Sequence, residues 1–252
     1  MTRTLSELAD EAEEEAIREL ENKIFLRQNL YALGRGEHGQ YRQDGSRLGP
    51  GKTIFMGDDP RLPAMPDKPG LLDFVRCRFA IGGQQHLLQS ARLARGNGVS
   101  GKMILACLLH DLAVSSFVRS DHGYWGAAMI EPYVDEEVAW AIRYHQCVRF
   151  FADPENGYEY PELYIKFFGE GYEPEDYIKR DYEYARNHKW YGSALEICKN
   201  DHYAFDHNMV LEWDEFEDVL ADHFRAPEEG LGNDNTSASH IWRTLRRPSN
   251  GL

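Results

Sequence analysis

The chain is short of positive charge. Its 28 Lys and Arg are outnumbered by 42 Asp and Glu, for a formal net charge of −14 and a pI near 5.2, so it offers no broad basic face for neutralising the phosphates of nucleic acid. Arg243, Arg246 and Arg247 cluster near the C-terminus, but Thr244 and Leu245 interrupt them, and they read as a solvated end. Cysteine is scarce as well. Cys77, Cys107, Cys147 and Cys198 stand far apart with no CxxC pair, which excludes a dense disulfide framework and fits a reducing compartment. No apolar run approaches the roughly 18 residues of a membrane span. Near the start, Glu7, Asp10, Glu11, Glu13, Glu14 and Glu15 stand where a signal peptide would need a basic opening and an apolar run. A cytoplasmic protein that meets small solutes, rather than nucleic acid or membrane, is the expectation. Alternating strand-like runs and internal repeats are absent too, so the fold class expected is all-α.

A chain of 252 residues that is 42% hydrophobic can bury one large core. Three regions are expected: an N-terminal helix and a Gly/Pro-rich arm over 1–70, the main helical domain over 71–225, and a tail over 226–252. Thr4 followed by Glu7 is a capping-box pattern, and Leu5, Leu8, Ala12, Ala16, Leu20 and Ile24 then recur at helical intervals. The acidic polar face suits packing on the parent domain or on a second subunit, not on a membrane. Residues 34–69 have no sustained periodicity and read as a long arm or lid. Gly51-Lys52-Thr53 is no phosphate-binding loop, because Ser46 stands where the first glycine belongs. Between Phe74 and Arg95 lie one or two helices stopped by Gly96-Asn97-Gly98, and Ser100, Asp121 and Asp135 are candidate caps for the helices that follow. A Tyr/Pro/Gly-rich excursion over 153–174 precedes a helix over about 175–187. In the next helix Trp190, Ala194, Ile197 and Asp201 share a face. The acidic run over 212–222 carries Trp213, Phe216, Val219 and Leu220 and reads as an amphipathic helix with a solvated face. The tail over 230–240 has little periodicity and could cover the site or join two copies of the chain.

The stretch from His86 to His145 dominates the chemistry. It contains His86-Leu-Leu-Gln89, His110-Asp111, Asp121-His122 and Tyr144-His145 in an apolar context. Burying such groups is costly unless something binds them. His110 and Asp111 are neighbours and diverge by about 100° on a helix, so both reach one centre only at a helix end. With a late aspartate these residues supply donors for two metal ions, with positions left for water or substrate. Mixed imidazole and carboxylate ligation suits iron, manganese or zinc better than calcium or magnesium.

The ordered series His, His-Asp, His, His, Asp over residues 80 to 207 resembles the HD-domain superfamily of metal-dependent enzymes, whose fold is a helical bundle around a metal site. His86-Leu-Leu-Gln89-Ser90-Ala91 and the intervals between the histidines are similar to those of the mixed-valent di-iron oxygenases, the group of myo-inositol oxygenase and the phosphonate-cleaving dioxygenases. The resemblance implies that His86, His110, Asp111 and Asp201 hold one metal, that Asp111 bridges, and that His122 and His145 hold the second. The ions would be iron, with manganese possible, and the reaction would be dioxygen activation, C–H hydrogen abstraction and oxidative cleavage. Arg149, one turn beyond His145, falls where the phosphonate branch has a basic residue and is the candidate for holding an anionic substrate group. Its other reading is a surface arginine paired with Asp153 or Glu155. Many relatives carry Lys or His three positions after the Asp of the pair; here Val114 stands there, which weighs against a phosphate-ester substrate and also against either known substrate of the oxygenase group.

Two alternatives stand beside the oxygenase. One is a metal-dependent phosphohydrolase, in which the metal makes a nucleophile of bound water. The other is a non-catalytic sensor, which would be expected to have lost ligands. Asp206 rivals Asp201 as the late aspartate. His202 and His207 could orient a ligand but are expected to face solvent, and His38, His188, His223 and His240 read as ordinary residues. The aromatics between Tyr144 and Tyr184 read as core ahead of a substrate pocket.

Overall fold

The computed structural model describes residues 70–79, 81–116 and 121–225, together with residues 9, 12, 13, 15–17, 19 and 20 of an N-terminal helix. The arm with Gly51-Lys52-Thr53, the Thr4 capping box, the tail and its Arg243, Arg246 and Arg247, and His38 and His240 lie outside the described residues. Among the described residues, ten α-helices follow Gly70: α1 (Leu71–Arg78), α2 (Ile81–Gly96), α3 (Gly101–Leu109), α4 (Leu112–Ser116), α5 (His122–Ile130), α6 (Glu136–Val148), α7 (Glu162–Phe168), α8 (Asp176–Arg186), α9 (Tyr191–Asp201) and α10 (Glu217–His223). The described residues contain no strand, only an isolated bridge between Asp153 and Tyr158. The all-α expectation holds for them, and none of their helices is long and apolar enough to cross a membrane.

α3 is the axis. Met103 through Leu109 are all buried, as an all-apolar helix requires, and α2, α6, α9 and α10 pack around it. Leu87, Leu88, Ala91, Leu105, Leu108, Ile142 and Ile197 belong to this core. A second, aromatic cluster lies toward the end of α6, where Phe150, Tyr158, Tyr164, Ile178 and Tyr182 pack with Ala9 of the N-terminal helix. The aromatics over 144–184 thus serve largely as core. α2 stops where the glycines predict: Gly98 takes φ +73°, and the amides of Gly98 and Val99 return to the carbonyls of Arg95 and Ala94 at 3.1 Å each.

Five local readings need correction. Ser100, Asp121 and Asp135 do stand at N-caps, but none caps with its side chain. Asp135 instead pairs with Lys102 at 2.8 Å and Arg225 at 2.9 Å. Asp121 takes φ +53° and accepts from the Tyr177 hydroxyl at 3.3 Å. The 153–174 excursion contains helix α7, bracketed by Pro161 and Gly169 and anchored by fully buried Tyr164. Finally, the N-terminal helix exposes Glu15 and Glu19 as expected but buries Glu13 beside Ala9, Ala12, Ile17 and Leu20.

Candidate metal centre

Residues 82–91 of α2 are buried on every side, so its polar side chains must find partners inside. Three glutamines do so by pairing with backbone. Gln89 donates to Asp206 O (2.8 Å) and Met209 O (2.7 Å) and accepts from Asp206 N (2.8 Å). Gln85 donates to Leu211 O (2.8 Å) and accepts from Leu211 N (2.9 Å). Gln84 donates to Phe79 O at 2.9 Å and accepts from the Trp213 side chain, Nε1, at 3.0 Å. The segment after α9 is thereby laced to α2, and it brings Ala204 O to His86 Nδ1 at 3.2 Å and stacks Phe205 on the His86 ring at 4.5 Å.

His110 is the C-cap of α3 and Asp111 occupies the turn before α4, so the helix end lets neighbouring residues face one point. His122 opens α5, and glycines let α5 press on α6 and on the end of α3. A Cβ at Gly123 would stand 2.9 Å from the carbonyls of Ile142 and Arg143, and one at Gly126 would stand 3.3 Å from His110 O. That approach sets His122 Nε2 3.2 Å from His145 Nε2.

Six side chains meet. His86 Nε2 lies 3.4 Å from Asp111 Oδ2 and 3.0 Å from Asp201 Oδ1, and His110 Nε2 lies 3.3 Å from Asp201 Oδ1. Asp111 Oδ1 lies 3.6 Å from His110 Nε2, 3.3 Å from His122 Nε2 and 3.7 Å from His145 Nε2. Two groups able to hold a metal ion result, His86 with His110, Asp111 and Asp201, and Asp111 with His122 and His145. All six residues are buried. Asp206, the rival of Asp201, is exposed and serves Gln89 through its backbone.

The donors fit cations. His86, His110 and His145 turn Nδ1 to the carbonyls of Ala204, Cys107 (2.8 Å) and Ile142 (2.6 Å); a neutral ring with Nδ1–H donating there points an Nε2 lone pair at the centre. His86 Nε2, His110 Nε2 and both Asp111 oxygens are buried with no hydrogen-bond partner among the described residues, an arrangement that costs free energy unless an ion completes it. Charge distribution agrees. Burial would raise Asp111 and Asp201, but the surrounding histidines hold both carboxyls well below the usual range. Burial works against a charged His86, yet the Asp111 and Asp201 carboxylates facing its ring lift it to about 10. Burial dominates at His145 and holds it at about 4.

Arg149 is fully buried, which overturns the surface reading, and its partner is neither Asp153 nor Glu155. It forms an ion pair with Glu13, whose Oε1 also accepts from the Tyr164 hydroxyl at 2.7 Å. His202 also departs from expectation. Its ring lies against Tyr164 with Nε2 3.1 Å from the Tyr158 hydroxyl, and burial holds its pKa at about 4. His207 is exposed, and Val114 is half-buried on α4. Glu13, Gln84, Gln85 and Tyr164 went unmarked in sequence. Glutamines inside an apolar helix were the available signal for two of them; Glu13 sat within an acidic run and gave none.

The chain matches no family model and no curated protein.

Proposed function

We propose that the chain is a di-metal oxygenase of the HD-domain type, acting on a small polar molecule that carries an anionic group. The observation that carries this reading is Asp111, which belongs to two donor sets at once: Oδ2 faces His86, and Oδ1 faces His110 of the same set together with His122 and His145 of the other. A single-ion site has no use for the His122–His145 pair, whereas a bridged pair of ions uses every buried donor. Two irons held there would supply activation of dioxygen and the oxidising power for C–H cleavage, and the same donors also accept manganese.

The chain's own residues do the rest. Asp111 keeps the two sites adjacent, and the carbonyls of Ala204, Cys107 and Ile142 fix the ring orientations of three ligands. Arg149 offers a guanidinium for an anionic group, suited to a carboxylate or phosphonate. Val114 supplies no cation beside the His-Asp pair, which disfavours a phosphohydrolase. The test is a panel of small acids, phosphonates and nucleotides assayed for dioxygen consumption and for phosphate release. Oxygen uptake with one class of small anion is expected. Phosphate release without oxygen uptake would replace the reading with hydrolysis, and inertness toward the whole panel would favour a sensor.

A further inference from the structure

Glu13 is the least expected group near the centre. It belongs to a helix whose Glu15 and Glu19 are exposed, yet its own side chain is 3% exposed. Its Oε1 collects both the Arg149 guanidinium and the Tyr164 hydroxyl, while Oε2 is buried with no hydrogen-bond partner among the described residues. One oxygen thus takes two strong donors and the other takes none. A carboxylate able to use both oxygens, or a group with three, would match the cradle better. The cradle is walled by aromatic rings, with the guanidinium carbon 5.0 Å from the Phe150 ring centre and 5.8 Å from that of Tyr164. The cradle adjoins the candidate ligands: the Arg149 amide donates to His145 O at 2.9 Å, and the Tyr164 ring lies 4.9 Å from that of His202, the neighbour of Asp201.

Access is the second consideration. All six ligand side chains are buried, so a solute reaches them only if an element moves. In the chain the N-terminal helix is separated from α1 by residues 21–69, so its departure would interrupt none of the described helices α1–α10.

We propose that Glu13 is an internal occupant of an anion subsite formed by Arg149 and Tyr164, and that a substrate's carboxylate, phosphonate or phosphate group displaces it, carrying the N-terminal helix off the cradle. This rests on Arg149 as the anchor of the substrate anion, and is independent of which metal is bound or which reaction follows. A permanent strut would show the same contact without competition, so competition is what must be measured.

The probes are malonate and inorganic phosphate, titrated into the metal-loaded full chain by calorimetry, with backbone hydrogen exchange followed over residues 9–20. Glu13→Gln keeps the side chain's shape and removes its charge; Ile17→Ala loosens the helix without touching the cradle. We expect at least one anion to bind, exchange over 9–20 to rise about ten-fold on binding while α3 stays protected, and both variants to bind that anion at least five-fold tighter than the unaltered chain. Failure of both anions to bind, binding with unchanged exchange over 9–20, or unchanged affinity in whichever variants fold would overturn the proposal. Metal content, measured on the same samples, separates these outcomes from a failure of the metal reading itself.

Discussion

His122 and His145 place two ring nitrogens 3.2 Å apart, and His145 has already committed Nδ1 to Ile142 O. Two lone pairs at that distance repel unless a cation or a proton lies between them. His122→Ala should therefore keep about one metal ion per chain, lose the other, and lose oxygen uptake, as checked by elemental analysis alongside an oxygen electrode. Titration offers a second test in metal-free protein. His145 and His202, held at about 4 against an ordinary 6.5, bind fewer protons folded than unfolded, so their contribution is present above pH 6.5 and lost as pH falls toward 4. The depressed carboxyls of Asp111 and Asp201 add to the loss at still lower pH. His86, lifted to about 10, acts in the opposite sense: its contribution is full below pH 6.5 and is lost as pH rises toward 10. The thermal midpoint of metal-free protein should peak near neutrality and decline on both sides. Metal binding should release protons and flatten the alkaline limb; a midpoint level from pH 5 to 9 would contradict this assignment.

Helices α2, α5 and α6 hold the candidate ligands through contacts that can be broken singly. Gly123→Ala forces a Cβ against two carbonyls of α6 at 2.9 Å. We expect it to cost about 1–3 kcal/mol in urea unfolding and to weaken the second metal more than the first, because His122 is the neighbouring residue. Gln89→Leu strands the Asp206 and Met209 carbonyls and the Asp206 amide. About 1–3 kcal/mol of stability should be lost, near the cost of one buried unpaired group because these three bonds are only partly buried and water can replace some of them, and metal affinity should fall about ten-fold or more as the segment carrying Ala204 loses its hold on His86. Metal affinity unchanged in Gln89→Leu would remove that segment from the account. At this scale much was legible. His86, His110, Asp111, His122 and His145 stood out because each is a polar residue at helical spacing in an apolar context, and the adjacency of His110 and Asp111 demanded the helix end that α3 supplies. Helix α7 was not legible, since seven residues between Pro161 and Gly169 carry too few turns for periodicity to register. The side chains of Asp121 and Asp135 were misassigned because cap position follows from local sequence whereas their partners Tyr177, Lys102 and Arg225 are distant in the chain.

The whole molecule is an acidic chain that buries one guanidinium beside its candidate metal centre and covers it with a glutamate brought from 136 residues away. That separation explains why sequence reading left Glu13 on a solvated face and Arg149 with nearby partners: no local pattern reports a contact between the first helix and the end of α6. Asp201 was legible for the reverse reason, since its helix face already carried Ala194 and Ile197 into the core. The claim on which everything else depends is that Asp111 bridges two ions. It is tested most directly by elemental analysis of protein purified without oxygen from cells supplied with both iron and manganese. About two metal ions per chain, falling to about one in His122→Ala, is the expected result. No bound metal, or a single ion left untouched by that substitution, would contradict it.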